Sequence, residues 1–114
     1  MDKNYTALGL MSGTSMDGVD ASVIKSNGKD SYERIFDKYY EYDSKIYKKL
    51  TNLRKNIITL KDLVKHSKLI ADLEREITIY HANISKEIIE SCSEKIDLIG
   101  FHGQTIYHLS LIHI

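Results

Sequence analysis

Tyr5 to Lys25 reads YTALGLM, then SGTSMDG, then VDASVIK. The opening run is short, mostly apolar and bounded by a Ser/Gly/Thr cluster, which predicts a buried strand. Ser12 to Gly18 is a tight polar turn whose two glycines can supply positive φ. Val19 to Lys25 follows as a second strand with Val19, Ala21 and Val23 on one face. Beyond it, Ser26 to Asp30 contains Asn27-Gly28, a strong hairpin signal. Tyr32 to Tyr42 (YERIFDKYYEY) then predicts a third strand, rich in aromatic and β-branched residues. Its Lys, Glu and Asp content calls for a solvated face or an edge position.

After Ser44, read as an N-cap, the period changes from two to that of a helix. Ile46, Leu50 and Leu53 recur at helical spacing. Thr59, followed three places on by Asp62, resembles a capping box opening a second helix. Ile70, Leu73, Ile77, Tyr80, Ile84 and Ile88 form one stripe of an amphipathic helix that ends near Cys92. Glu94-Lys95 turns the chain into Ile96 to Phe101 (IDLIGF), another buried strand. The expected fold is therefore α/β, with three antiparallel strands, helices and a returning strand. The right-handed crossover rule places that last strand parallel to the first in the same sheet.

Composition narrows the classes. With 114 residues the chain fits one modest domain. Lys and Arg number 16 against 16 Asp and Glu, so no strong field points to nucleic acid or an anionic membrane. No apolar run approaches the roughly 20 residues needed to span a bilayer. The start, Met1 to Tyr5, lacks a basic segment leading into a long apolar stretch, which argues against secretion. The single Cys92 has no internal disulfide partner and suits a reducing cytoplasm. The chain has no proline, a hint that a loop-rich part lies elsewhere.

The chemistry concentrates in the first turn, Gly13, Thr14, Ser15, Met16, Asp17, Gly18, Val19 and Asp20. A turn packed with Gly, Ser and Thr presents successive backbone N–H groups and hydroxyls in one direction, a nest suited to phosphate. Asp17 and Asp20 would repel phosphate, but either could hold Mg²⁺ through water beside a nucleotide. Gly, Ser and Asp are equally the ordinary residues of a hairpin turn, so composition alone leaves both readings open. Gly13 and Gly18 match the glycine spacing of a Walker A loop, yet Val19-Asp20 stand where Lys-Ser/Thr is required. Gly13 to Met16 is also similar to the nucleophile segment of subtilisin-like proteases. Those run Asp, His, Ser along the chain, whereas here the Ser comes first.

A second cluster, Gly100 to Thr105, leaves the carboxyl end of the returning strand, where open α/β sheets bind ligands. His102, Gln104 and Thr105 are its polar groups; a turn-satisfying role for His102 stands at parity with a binding role. His66 and His81, on the helical segment, are expected at the surface or boundary. The three histidines toward the end, His102, His108 and His113, lack the close spacing of a metal site. Cys92 reads as a small hydrophobe, and the tyrosines of the third strand read as sheet packing.

Leu8 to Asp20 resembles, nearly residue for residue, the opening signature of the anhydro-N-acetylmuramic acid kinases. Asp97 to His108 (DLIGFHGQTIYH) resembles that family's next block, in the right order and at about the expected separation. The resemblance implies an actin-like (ribonuclease H-like) ATPase first lobe. It also implies a kinase that opens 1,6-anhydro-N-acetylmuramic acid with water while phosphorylating it from ATP. The product would be N-acetylmuramate 6-phosphate, in peptidoglycan recycling. It carries over ATP binding to Gly13 through Asp20, Mg²⁺ to Asp17, and the sugar side of a cleft to His102, Gln104 and Thr105. It further implies a cytoplasmic homodimer in full-length form. No residue matches the family's later Asp-x-x-Thr-Gly-Pro-like block, so none is assigned as catalytic base. Residues 1–108 would form a partial N-terminal lobe, and 109–114 depart from the family pattern as an atypical tail. The competing reading is a non-catalytic nucleotide-binding or interaction module built on the same hairpin.

Overall fold

The computed structural model describes residues 3–13, 16–104 and 106. The expected tail, with Thr14, Ser15 and Thr105, lies outside the described residues. Strand β1 spans Tyr5–Ser12, β2 Gly18–Ser26 and β3 Tyr32–Glu41. Helices α1 (Ser44–Asn56), α2 (Leu60–Lys65) and α3 (Ser67–Ser91) follow, and β4 (Leu98–Gln104) returns to the sheet. The strand order is β3-β2-β1-β4. β1 pairs antiparallel with β2, and β2 with β3. β4 lies parallel to β1, as the crossover rule requires. The mixed sheet and following helices agree with the first lobe of an actin-like ATPase.

Alternation decides which face is covered. Leu8 and Leu10 of β1, and Val19, Ala21 and Val23 of β2, point one way and are buried. Ile46, Leu50 and Leu53 of α1, with Leu73, Ile77, Ile84 and Ile88 of α3, close over them into one core. Each such side chain contributes on the order of 2 kcal/mol by leaving water. The opposite face carries Tyr5, Met11 and Asp20, all exposed. β3 is exposed along nearly its whole length, in keeping with its edge position.

The helix starts follow capping chemistry. Asp43, one residue before the expected Ser44, caps α1, its carboxylate accepting from the Ile46 N–H at 2.8 Å. Asp is as good a cap as Ser, and the register of Ile46 in the core selects the earlier residue. The capping box of Thr59 and Asp62 opens α2 as expected. The last strand begins two residues later than expected and runs on through Gln104, so His102 and Gln104 lie within it.

Candidate functional site

β1 delivers Ser12 to the base of the first turn, with no surface exposed to solvent. The Gly13 carbonyl accepts from the Met16 N–H at 3.3 Å, closing the turn. Met16 takes φ +60° and sends its side chain into the core, 2% exposed. The Asp17 carbonyl accepts from the Tyr42 N–H at 2.9 Å, tying the far side of the turn to the end of β3. The side chains of Met16 and Val19 thus belong to the core, leaving only their backbone for a ligand. Gly13 has nothing within 4 Å of where a Cβ would stand, so its backbone is open to approach.

Beneath the turn, four side chains from four parts of the chain join in one network. His81 Nδ1 lies 2.8 Å from the Ile77 carbonyl, which can only accept, so the ring proton sits on Nδ1. Nε2 is then an acceptor, and Ser12 Oγ donates to it at 2.7 Å. Ser12 Oγ in turn accepts from the Tyr42 hydroxyl at 3.1 Å. That hydroxyl also lies 3.0 Å from Gln104 Oε1, so two acceptors share its proton. Gln104 Nε2 completes the path by donating to the Gly13 carbonyl at 2.7 Å. Burial lowers the His81 pKa, against a smaller opposing effect of the Ile77 carbonyl, and keeps the ring neutral. Burial likewise pushes up the Tyr42 hydroxyl.

His81 was expected at the surface or boundary; it is 2% exposed and packs edge-on against Phe101 at 4.9 Å. The signal was available in the spacing of Ile77, His81, Ile84 and Ile88, which puts the ring on the buried stripe. Ser12 and His81 have the separation of a nucleophile and its base. Ser12 is wholly enclosed, so no substrate carbon can reach it and the pair is structural.

A bulge brings Gln104 into this network. Leu10 pairs with Phe101, but Ser12 pairs with Gln104, so β4 holds one residue more than β1 between them. Gly103, at φ +88°, absorbs the extra residue. Gln104 therefore reaches under the turn, and both ends of its amide are engaged there. His102 lies exposed in β4, its Nδ1 3.1 Å from the Gly103 carbonyl. His66 caps the junction between α2 and α3, half-buried. Cys92 is a free thiol at the end of α3, partly buried against the core.

Asp17 and Asp20 are both exposed near the mouth of the turn. The register sets Tyr39 opposite Asp20, and partial burial first, then the negative charge of Asp17 beside it, push the Tyr39 hydroxyl up to about 12. No cage of three or more His, Cys, Asp or Glu side chains forms among the described residues. Mg²⁺ suits such a place, because it takes one or two carboxylates and fills its octahedron with water and phosphate oxygens. An open glycine backbone beside an exposed carboxylate could hold a phosphate carrying Mg²⁺.

The family model of anhydro-N-acetylmuramic acid kinase matches residues 5–113. A protein of that name from Pelagibacter ubique is 61% identical over 108 residues, covering 95% of this chain and 29% of the relative. Others from Rhizobium etli and Brucella canis are 34% and 33% identical, covering 95% and 90% of this chain and 30% and 28% of the relative. The chain thus spans less than a third of the length of the curated relatives it matches. No helix among the described residues is long and apolar enough to cross a membrane.

Proposed function

The chain belongs to the anhydro-N-acetylmuramic acid kinase family, and from that premise we propose that it supplies the phosphate-binding hairpin of an ATP-dependent sugar kinase. The whole protein would convert 1,6-anhydro-N-acetylmuramic acid and water to N-acetylmuramate 6-phosphate. The observation that carries this reading is the hairpin: open backbone at Gly13, exposed Asp17 at its mouth, and Gln104 pinning it from below. Magnesium-bound ATP supplies the phosphoryl group and neutralises the charge that develops on it.

This chain's residues contribute position. The turn, Gly13 through Asp20, would hold the phosphates, and Asp17, with Asp20 beside it, the hydrated cation. His102, Gln104 and Thr105 belong to the strand end that borders the sugar, with Gln104 acting through the Gly13 carbonyl. A base is also required to take a proton from the attacking water, and no residue of this chain is assigned that role. The free thiol of Cys92 suits a cytoplasmic protein. The family resemblance extends the reading to a homodimer.

The test is a chimera in which this chain replaces the matched segment of the Pelagibacter ubique relative. ADP release is followed with and without the anhydro sugar, beside an Asp17→Asn variant. Sugar-dependent release that falls about a hundredfold in the variant is expected, the upper range for loss of a metal-site partner. Release without sugar dependence would replace the kinase reading with that of a nucleotide-binding module.

A further inference from the structure

Tyr42, read from the sequence as the end of the third strand and as sheet packing, stands one residue beyond β3 and bears on both ends of the first turn. Its backbone N–H donates to the Asp17 carbonyl at 2.9 Å. Its hydroxyl reaches the other end through one side chain. It lies 3.0 Å from Gln104 Oε1, and Gln104 Nε2 donates to the Gly13 carbonyl at 2.7 Å. That carbonyl can only accept, so the amide nitrogen must face it and the amide oxygen must face the phenol. The phenol is itself fixed in place. It is 4% exposed, and its ring centroid lies 5.2 Å from that of Tyr80. Both of its chain neighbours are anchored too: Asp43 caps α1, and the Glu41 carbonyl accepts from the Tyr80 hydroxyl.

The hydroxyl has one proton and two acceptors within reach. Ser12 Oγ lies 3.1 Å away, and the proton of Ser12 is already given to His81 Nε2. Whatever share of the Tyr42 proton goes to Ser12 is lost to Gln104. We propose that Tyr42 is a positioning residue for the phosphate-binding turn, its hydroxyl orienting the Gln104 amide against the Gly13 carbonyl while Ser12, held as a donor to His81, competes for the same proton. The proposal rests on the reading of the hairpin given above. A flipped amide would set two carbonyl oxygens face to face at Gly13, and a donor at Oε1 opposes that flip. Gly13 is also where the backbone is open to approach, so the grip on its carbonyl fixes the surface a phosphate would meet. Fixing it beforehand removes an ordering cost that binding would otherwise carry. Burial pushes the Tyr42 hydroxyl up, so it remains a donor throughout the physiological range.

The test uses the full chain, ¹⁵N-labelled, in three forms: unsubstituted, Tyr42→Phe and Ser12→Ala. Tyr42→Phe keeps the ring and the backbone bond to Asp17 and removes only the hydroxyl, so unchanged amide shifts away from the turn verify that the fold is intact. The first reading needs no ligand. A hydrogen bond accepted at an amide oxygen deshields the amide nitrogen, so the Gln104 side-chain ¹⁵N signal should move upfield in Tyr42→Phe. In Ser12→Ala, where Gln104 receives the whole proton, it should move downfield. A role in packing alone would not produce opposite signs, and signals that move the same way in both variants would overturn the proposal. The second reading titrates each form with ATP and Mg²⁺, followed at the Met16 to Gly18 amides. The ATP concentration for half-saturation should rise about fivefold in Tyr42→Phe, the worth of one hydrogen bond, and should fall in Ser12→Ala. Equal concentrations in the unsubstituted chain and Tyr42→Phe would overturn the role of Tyr42 and leave the hairpin reading standing. Turn amides that ignore ATP in the unsubstituted chain would remove the hairpin reading and this role with it.

Discussion

Two hairpin connections of equal length lie side by side in this sheet, and they are held in opposite ways. The β2–β3 connection, residues 27–31, is satisfied from within. Asn27 Oδ1 accepts from the N–H groups of Lys29, Asp30 and Ser31, and Ser26 Oγ accepts from Gly28 N–H. The β1–β2 connection, residues 13–17, is held from far along the chain by Gln104 and by the Tyr42 backbone. A turn that spends its own backbone donors on its own side chain has little left for a ligand. The β1–β2 turn is pinned instead through the carbonyls of Gly13 and Asp17, by groups from β4 and the end of β3.

The sharpest way to break the contrast is to add one methyl group at Gly18, where the first connection enters β2, and one at Gly28 within the second. In Gly18→Ala the new Cβ would stand 2.4 Å from the Tyr40 carbonyl oxygen, a backbone atom that cannot yield. A loss of about 3 kcal/mol is expected from chemical denaturation, at the upper end for overpacking. Gly28→Ala meets nothing within 4 Å and should cost only the left-handed penalty at φ +78°, about 1 kcal/mol. Equal losses would erase the distinction between the loops.

Next in size is the removal of the long-range pin. Gln104→Ala leaves the Gly13 carbonyl without its amide donor and should cost about 2 kcal/mol in the same measurement. It should also weaken nucleotide binding in a calorimetric titration. Asn27→Ala should cost about 1 kcal/mol, because water reaches the freed N–H groups. It should leave nucleotide binding unchanged, and a loss of binding there would contradict the assignment of roles to the two turns.

The mildest perturbation is acid. The folded His81 pKa is depressed, so the unfolded chain binds its proton first, near the ordinary value of about 6.5. The stability contributed by the neutral ring is fully present above that pH and is lost as the pH falls below it. Thermal unfolding should therefore move to lower temperature between pH 7.5 and 5.5, and His81→Leu should flatten the dependence. A slope unchanged by that substitution would place the titrating group elsewhere.

Much of this architecture is legible in linear order, because strands and amphipathic helices announce themselves by period. YTALGLM and VDASVIK alternate, the Ile70-to-Ile88 stripe repeats at helical spacing, and topology rules then force β4 alongside β1. What escapes linear reading depends on partners far away. His81 shares the helical stripe of Ile77, Ile84 and Ile88, yet its partner, Ser12, lies 69 positions earlier and is not readable locally. Gln104 reads as a loose polar group after a strand, because nothing local reveals that Gly103 will bulge and carry it under the turn. Asp43 and Ser44 are adjacent and chemically equivalent caps, so only the three-dimensional seat of Ile46 chooses between them. By composition the turn reads equally as a phosphate nest and as an ordinary hairpin turn, and the position of Tyr39 over Gly18 required the register of β3.

The hydrogen-bonded path beneath the turn has one direction. A helix carbonyl at Ile77 fixes the proton on His81 Nδ1, which makes Nε2 an acceptor, which makes Ser12 the donor, which turns Ser12 toward Tyr42 as an acceptor. The two nitrogens of a single imidazole thus record the state of the whole assembly. Their ¹⁵N resonances are widely split in this tautomer, and Nε2 alone moves further downfield if Ser12 withdraws while Ile77 still holds Nδ1, a built-in gauge of whether the turn is seated, readable with no ligand, dye or added label on the loop.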